Sequence, residues 1–369
     1  MLLPMLQRAA AAATLAAAAL VSPALMSGGD ATAQQAPAPQ AAPERTTITF
    51  FIWAGSNQGV VPTEVITAYR QRNPQVTIEI LESNNTITYP RMVAARRTTP
   101  DSPLVHCGFF NVDSITRGDV DDMWEAFSAT GVPNMEGVLP AYRRAENRGV
   151  GYMMSSIGIL YNRNRVQTPP TSWSVLWDPA NRGRVTMFDY DTRALVIAAR
   201  LNGGDENRID PGFRVWAENA RNFRALVDSN DAVKNLLVAG DAWYAPWFGA
   251  ISQVWINEGA PLAFAIPREG VIAFPLYLAM VKGVTPAQRR VCEDLVNTLL
   301  EPANAGRYGT LTLGMPVVRN APLGPALASN PIFNFEVAER AIVPDYSVIA
   351  RNTAAWRERW DREVKIRMR

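Results

Sequence analysis

From Thr47 onward, short apolar runs rich in β-branched and aromatic residues take turns with segments whose apolar residues recur at helical spacing. That alternation restricts the chain to an α/β architecture with mainly parallel sheets. The spacing predicts strands over residues 47–53, 75–82, 103–110, 151–161, 185–189, 242–247, 262–266 and 271–281. It predicts helices over 60–71, around 91–97, and over 192–201, 211–226, 232–239, 251–258, 286–300 and 352–365. The long runs 151–161 and 271–281 read as strands that pass between domains.

Ahead of this pattern stands a different kind of segment. Residues 1–33 open with one basic residue, Arg8, continue as an Ala/Leu run and end in Ala31-Thr32-Ala33, which has the form of a cleavable export signal cut before Gln34. No cysteine stands near that point to carry a lipid. Residues 34–44 are Pro, Ala and Gln with a single charge, too polar to bury a core, and read as a disordered linker. About 325 residues then remain, more than one core usually serves, so two domains are expected.

The formal net charge of +2 is spread without a basic stripe, which excludes a nucleic-acid-binding face. His106 is the one histidine, and it lies inside an apolar strand, where a satisfied core position is expected. An exported hydrolase is disfavoured, since a single candidate base and no G-x-S-x-G sequence leave little to build a nucleophile on. Neither a G-K-[ST] phosphate loop nor a spaced Cys/His cluster occurs. Cys107 and Cys292 share an oxidising compartment in which a disulfide could persist, but both sit on apolar faces and read as buried small hydrophobes.

Four segments carry a resemblance. The first runs from Thr171-Ser172-Trp173 through Trp177-Asp178-Pro179-Ala180-Asn181-Arg182-Gly183 to Val185. The others are Gly240-Asp241-Ala242-Trp243-Tyr244-Ala245-Pro246-Trp247, Pro267-Arg268-Glu269-Gly270-Val271 and Leu313-Gly314-Met315-Pro316. In this order they resemble the substrate-binding proteins of ABC importers, in the polyamine- and ferric-ion-type group, with the polyamine branch closer. The resemblance implies a two-lobe, type II periplasmic-binding-protein fold with a hinge between its lobes. Residues 45–140 plus 271–319 would make lobe 1, and residues 141–270 plus 320–369 lobe 2. It further implies a monomeric periplasmic receptor that closes on a small solute and hands it to an inner-membrane permease, with neither cofactor nor metal.

Ligands of open α/β sheets sit beyond the carboxyl ends of the strands. That places Trp53, Ser56, Asn57, Phe110, Asp191, Thr192, Arg193, Trp247, Phe248 and Phe274 as ligand-binding candidates. Trp53, Phe110, Phe248 and Phe274 form an aromatic box, and aromatic faces attract ammonium groups by roughly 0.5–2 kcal/mol. Asp191 would neutralise the buried cation, so an amine or polyamine-like cation is the leading ligand. Asp191 is equally suited to capping its helix, and the aromatics to the core. Two acids of the polyamine branch are missing, for Ala194 and Leu276 stand in their places, so a monocationic or zwitterionic ligand fits better than a typical polyamine. A small carboxylate or phosphate held by Thr192 and Arg193 at a helix N-terminus is the alternative, followed by ferric ion, which lacks the expected tyrosine pair.

Overall fold

A computed structural model describes residues 45–55 and 57–368. The export signal, the linker and Ser56 lie outside the described residues. Among the described residues eleven strands form one sheet. They are β1 (Thr46–Trp53), β2 (Val76–Ser83), β3 (Cys107–Asn111), β4 (Trp124–Glu125), β5 (Val150–Asn162), β6 (Val185–Phe188), β7 (Phe223–Val227), β8 (Tyr244–Phe248), β9 (Leu262–Ala265), β10 (Ile272–Val281) and β11 (Met315–Pro316).

The strand order is β2-β1-β3-β10-β5-β8-β6-β7, with β4, β9 and β11 pairing on β10 and β5. Parallel ladders join β2, β1 and β3 at one end and β8, β6 and β7 at the other. Between them the two long strands β5 and β10 run antiparallel to each other. They are the two runs whose length marked them in the sequence, and they connect the two parallel regions. Strands buried on both faces read as continuous apolar runs, and β5 has twelve of thirteen residues buried.

Local signals explain most boundaries. Asp191 caps the helix Thr192–Leu201, accepting from the Arg193 amide at 2.9 Å, and Asn202 ends it. Gly240 closes the helix Asn230–Ala239 in the left-handed conformation. One expected helix is corrected. Residues 211–226 divide into a helix Asp210–Glu218, a short turn and strand β7, so that Phe223 and Leu226 belong to the sheet. Phe223 is inward on either reading, and it stacks on Trp216 with centroids 5.0 Å apart.

Two of the motif segments meet in space. The Ser172 hydroxyl donates to Glu269 at 2.6 Å, and the fully buried Trp173 donates its indole N–H to the Gly270 carbonyl at 2.8 Å. Gly270 has φ +103°, and a Cβ there would stand 2.6 Å from the Arg340 carbonyl, so only glycine fits the turn. The segment after β5 is thereby locked onto the turn that feeds β10.

Cys107 on β3 and Cys292 on the helix Pro286–Leu299 form a disulfide, with Cα atoms 6.0 Å apart. Both are buried in apolar surroundings, as expected, and the bridge that the sequence left open is formed. The sequence places them 185 residues apart, and only the packing of the helix on β3 supplies the separation a bridge needs.

Next to this bridge, His106 is buried, and its Nδ1 accepts from the Thr49 amide at 2.9 Å. Burial lowers its pKa from 6.5 to about 4. The unfolded chain therefore takes up a proton near pH 6.5 and the folded chain only near pH 4, so the folded state loses stability as pH falls through that window. Each tenfold drop in proton affinity on folding is worth about 1.4 kcal/mol, so the loss reaches about 3 kcal/mol at the acid end. Denaturant unfolding of the wild type and His106→Gln from pH 7 to pH 4 checks this: the variant should show a shallower decline, and parallel curves would contradict it.

Candidate functional site

The register of β5, β8 and β10 builds the floor of the site. Phe274 lies opposite Ser155, Leu276 opposite Met153, and Phe248 opposite Ile157. Because alternate residues of β5 share a face, Met153 and Ser155 point the same way, and Phe248 and Phe274 join them. Trp53, at the carboxyl end of β1, and Gln58 complete a cavity of about 190 Å³ with Ile251 and Thr312. No charged side chain lines it. Phe248 and Phe274 meet edge to face at 5.8 Å. The Trp53 indole nitrogen is buried without a hydrogen-bond partner.

Beside it lies a larger polar cavity of about 360 Å³, walled by Asp113 and Arg117 on one side and by Tyr190, Thr192, Arg193, Tyr346 and Thr353 on the other. Arg193 joins the two. Its guanidinium carbon stands 5.3 Å from the Phe248 centroid and 5.4 Å from that of Phe274, the position a ligand ammonium was expected to take. Tyr346 backs Phe274 at 6.3 Å and donates its hydroxyl hydrogen bond to the Ala273 carbonyl.

Asp191 is 4% exposed and committed within the protein. Besides capping its helix, it accepts from Arg193 Nε at 2.8 Å and from Nη2 at 3.4 Å. Burial alone would push the Arg193 guanidinium down. The charge and hydrogen bond of Asp191, with smaller contributions from Tyr346 and Asp113, hold it above its ordinary value, so it is charged at every physiological pH. Asp191, expected as counter-ion to a ligand cation, is paired in the structure with Arg193 of the same helix.

The structure brings together Trp53, Phe248 and Phe274 around one cavity and Thr192 and Arg193 around the other. Among the described residues, Phe110, Trp247 and Asn57 line neither cavity, and Ser56 lies outside the described residues. Phe110 is fully buried, 5.4 Å from Phe51 and 4.8 Å from Trp124 by ring centroids, because β3 is covered on both faces. Trp247 points to the opposite face of β8 from Phe248 and packs on Phe188 and Trp255. Asn57 is exposed and donates to the Leu311 carbonyl at 3.3 Å, while its neighbour Gln58 is the residue that reaches the cavity. Asp113, Arg117, Tyr190 and Tyr346 were missed. Asp113 stands in the first turn of a helix that the spacing did not predict, and only the left-handed backbone of Tyr190, φ +70°, singles that residue out.

An open α/β sheet with two long strands crossing its middle, and with cavities walled by residues distant in the sequence, defines a receptor for a small solute. The chain belongs to the bacterial extracellular solute-binding protein family, whose model matches residues 106–335. It is 23% identical over 306 residues to spermidine/putrescine-binding periplasmic protein 1 of Haemophilus influenzae, covering 80% of this chain and 82% of that one. Among solved structures, an ABC transporter protein of Clostridium perfringens superposes with a TM-score of 0.75 at 16% identity, covering 86% of this chain and 99% of that one. A spermidine/putrescine substrate-binding protein of Streptococcus pneumoniae gives 0.70 at 14%, covering 88% and 100%. The fold is that of the type II periplasmic-binding proteins, and the protein is a solute-binding component of an ABC transporter. Among the described residues no helix is long and apolar enough to cross a membrane.

Proposed function

We propose that this protein, exported by its N-terminal signal and free as a monomer in the periplasm, captures a small organic solute bearing a carboxylate or phosphate group and delivers it to an inner-membrane permease. The lobes are residues 45–140 plus 271–319 and residues 141–270 plus 320–369. Both cavities draw their walls from both lobes, so a solute seated there favours the closed arrangement.

The observation that carries the ligand reading is Arg193 on the faces of Phe248 and Phe274. Of its five N–H donors Asp191 takes two, which leaves three, two on Nη1 and one on Nη2, without a partner among the described residues. A second guanidinium, Arg117, lines the same cavity. An added ammonium would meet Arg193 at close range without a free carboxylate in the aromatic cavity, and like charges in a partly buried site repel strongly. The apolar part of the solute would fill the space between Trp53, Phe248 and Phe274.

Thermal unfolding of the mature protein, stripped of carried-over solute, against organic acids, sugar phosphates, monoamines and polyamines tests this. At a hundredfold excess over the dissociation constant a true ligand contributes about 2.7 kcal/mol. Midpoints should rise with an acid or phosphate and stay put with putrescine and spermidine; a rise with the amines alone overturns the reading.

A further inference from the structure

The polar cavity contains one acid that neither the fold nor the proposed anion subsite uses. Asp113 follows Asn111, whose side chain caps the helix Val112–Val120, and it lines the cavity together with Arg117 one turn further on. Residues four apart on a helix are placed to pair. Here they do not: among the described residues the Asp113 carboxylate has no hydrogen-bond or ion-pair partner, and the Arg117 guanidinium lies over the Tyr89 ring at 5.0 Å.

The other acids near the site are committed. Asp191 holds Arg193, while Asp189 receives Arg357 at 3.0 Å and Lys365 at 2.9 Å. Among the described residues Asp113 is therefore the one carboxylate lining the cavity, and it is open to a ligand. Asp113 is exposed where it lines the cavity, and the protein packed around its carboxyl raises it above the ordinary range; Arg193 and Arg117 oppose that shift and Asp191 adds to it.

Opposite charges thus face one cavity from two elements. Asp113 comes from the helix Val112–Val120, and Arg193 from the start of the helix Thr192–Leu201. Resting on the anion subsite proposed above, we infer that the solute is a zwitterion, its carboxylate held by Arg193 and Thr192 and its ammonium by Asp113. Such a molecule replaces the missing ion pair between the two elements, and it takes both charges to make the bridge. That explains how a site with a built-in cation also keeps an unpaired acid. The relatives' amine chemistry is then represented at Asp113 and not at Asp191.

Calorimetric titration of the mature full chain with three zwitterions of increasing charge separation, leucine, 4-aminobutanoate and 6-aminohexanoate, tests the inference. Each is compared with its desamino acid (4-methylpentanoate, butanoate, hexanoate) and its decarboxylated amine (isopentylamine, propylamine, pentylamine). At least one zwitterion should bind tenfold or more tightly than both of its analogues. Asp113→Asn should erase the advantage of that zwitterion over its desamino acid, because only the zwitterion carries an ammonium for Asp113 to hold.

Equal binding of zwitterion and acid would overturn the Asp113 subsite and leave the anion reading standing. Amines binding best would overturn both, as would silence across all nine compounds. The comparison among analogues needs only the wild type, so it decides the matter even where the variant folds poorly.

Discussion

Arg193→Met is expected to abolish solute binding, with affinity falling at least about 100-fold, because truncating one partner of a buried, hydrogen-bonded charge pair costs several kcal/mol. It should also destabilise the protein by about 3 kcal/mol, since Asp191, 4% exposed, is left without its counter-charge. The two effects have different origins and can be separated. Asp191 keeps its cap bond from the residue 193 amide in any variant, so the added change Asp191→Asn removes the stranded charge alone. The double variant should therefore recover most of the stability and none of the binding. Denaturant midpoints and titrations of both variants check this. Binding that returned with stability would show Arg193 to be structural and remove it from the site.

Removing the bridge between Cys107 and Cys292 should be the largest purely structural loss. The two residues close a loop of 185 residues, for which the chain-entropy account gives a stabilisation on the order of 5 kcal/mol, at the top of the range found for native disulfides. For a chain of this length that corresponds to a fall in midpoint on the order of 5–10 °C. Cys107→Ala with Cys292→Ala should melt at the lower temperature with or without reductant. The wild type should move to that temperature only when thiol titration shows the bridge reduced. A fully reduced wild type with an unmoved midpoint would contradict the assignment.

How far the sequence reveals this molecule depends on whether the signal is local. The helix Thr192–Leu201 was legible residue for residue because Asp191 opens it and Asn202-Gly203-Gly204 stops it. The long strands β5 and β10 announced themselves by unbroken apolar runs. Residues 211–226 misled because Phe213, Trp216 and Phe223 fit helical spacing across a break that carries neither glycine nor proline.

Around the aromatic cavity, Trp53 and Phe248 were placed from strand ends and Phe274 from its position on the returning strand. The partner of Asp191 could not be placed, since nothing in the spacing of residues 191 and 193 says whether the guanidinium folds back on the carboxylate or reaches outward. Asp113 and Arg117 carry no local mark at all. They become site residues only because the helix Val112–Val120 packs against the helix Tyr346–Glu363, across more than 200 residues of chain. The disulfide was hidden for the same reason.

On the proposed reading, Arg193 beside Phe248 and Phe274 supplies the cation at the aromatic cavity, and the solute brings an acidic group to it. The most direct test is to recover the solute itself: the protein is exported in a bacterial host, purified without dialysis and denatured, and the released small molecules are identified by mass spectrometry. The account predicts one compound near equimolar amount that carries a carboxylate or phosphate group. Release of putrescine, spermidine or another amine without an acidic group would contradict it.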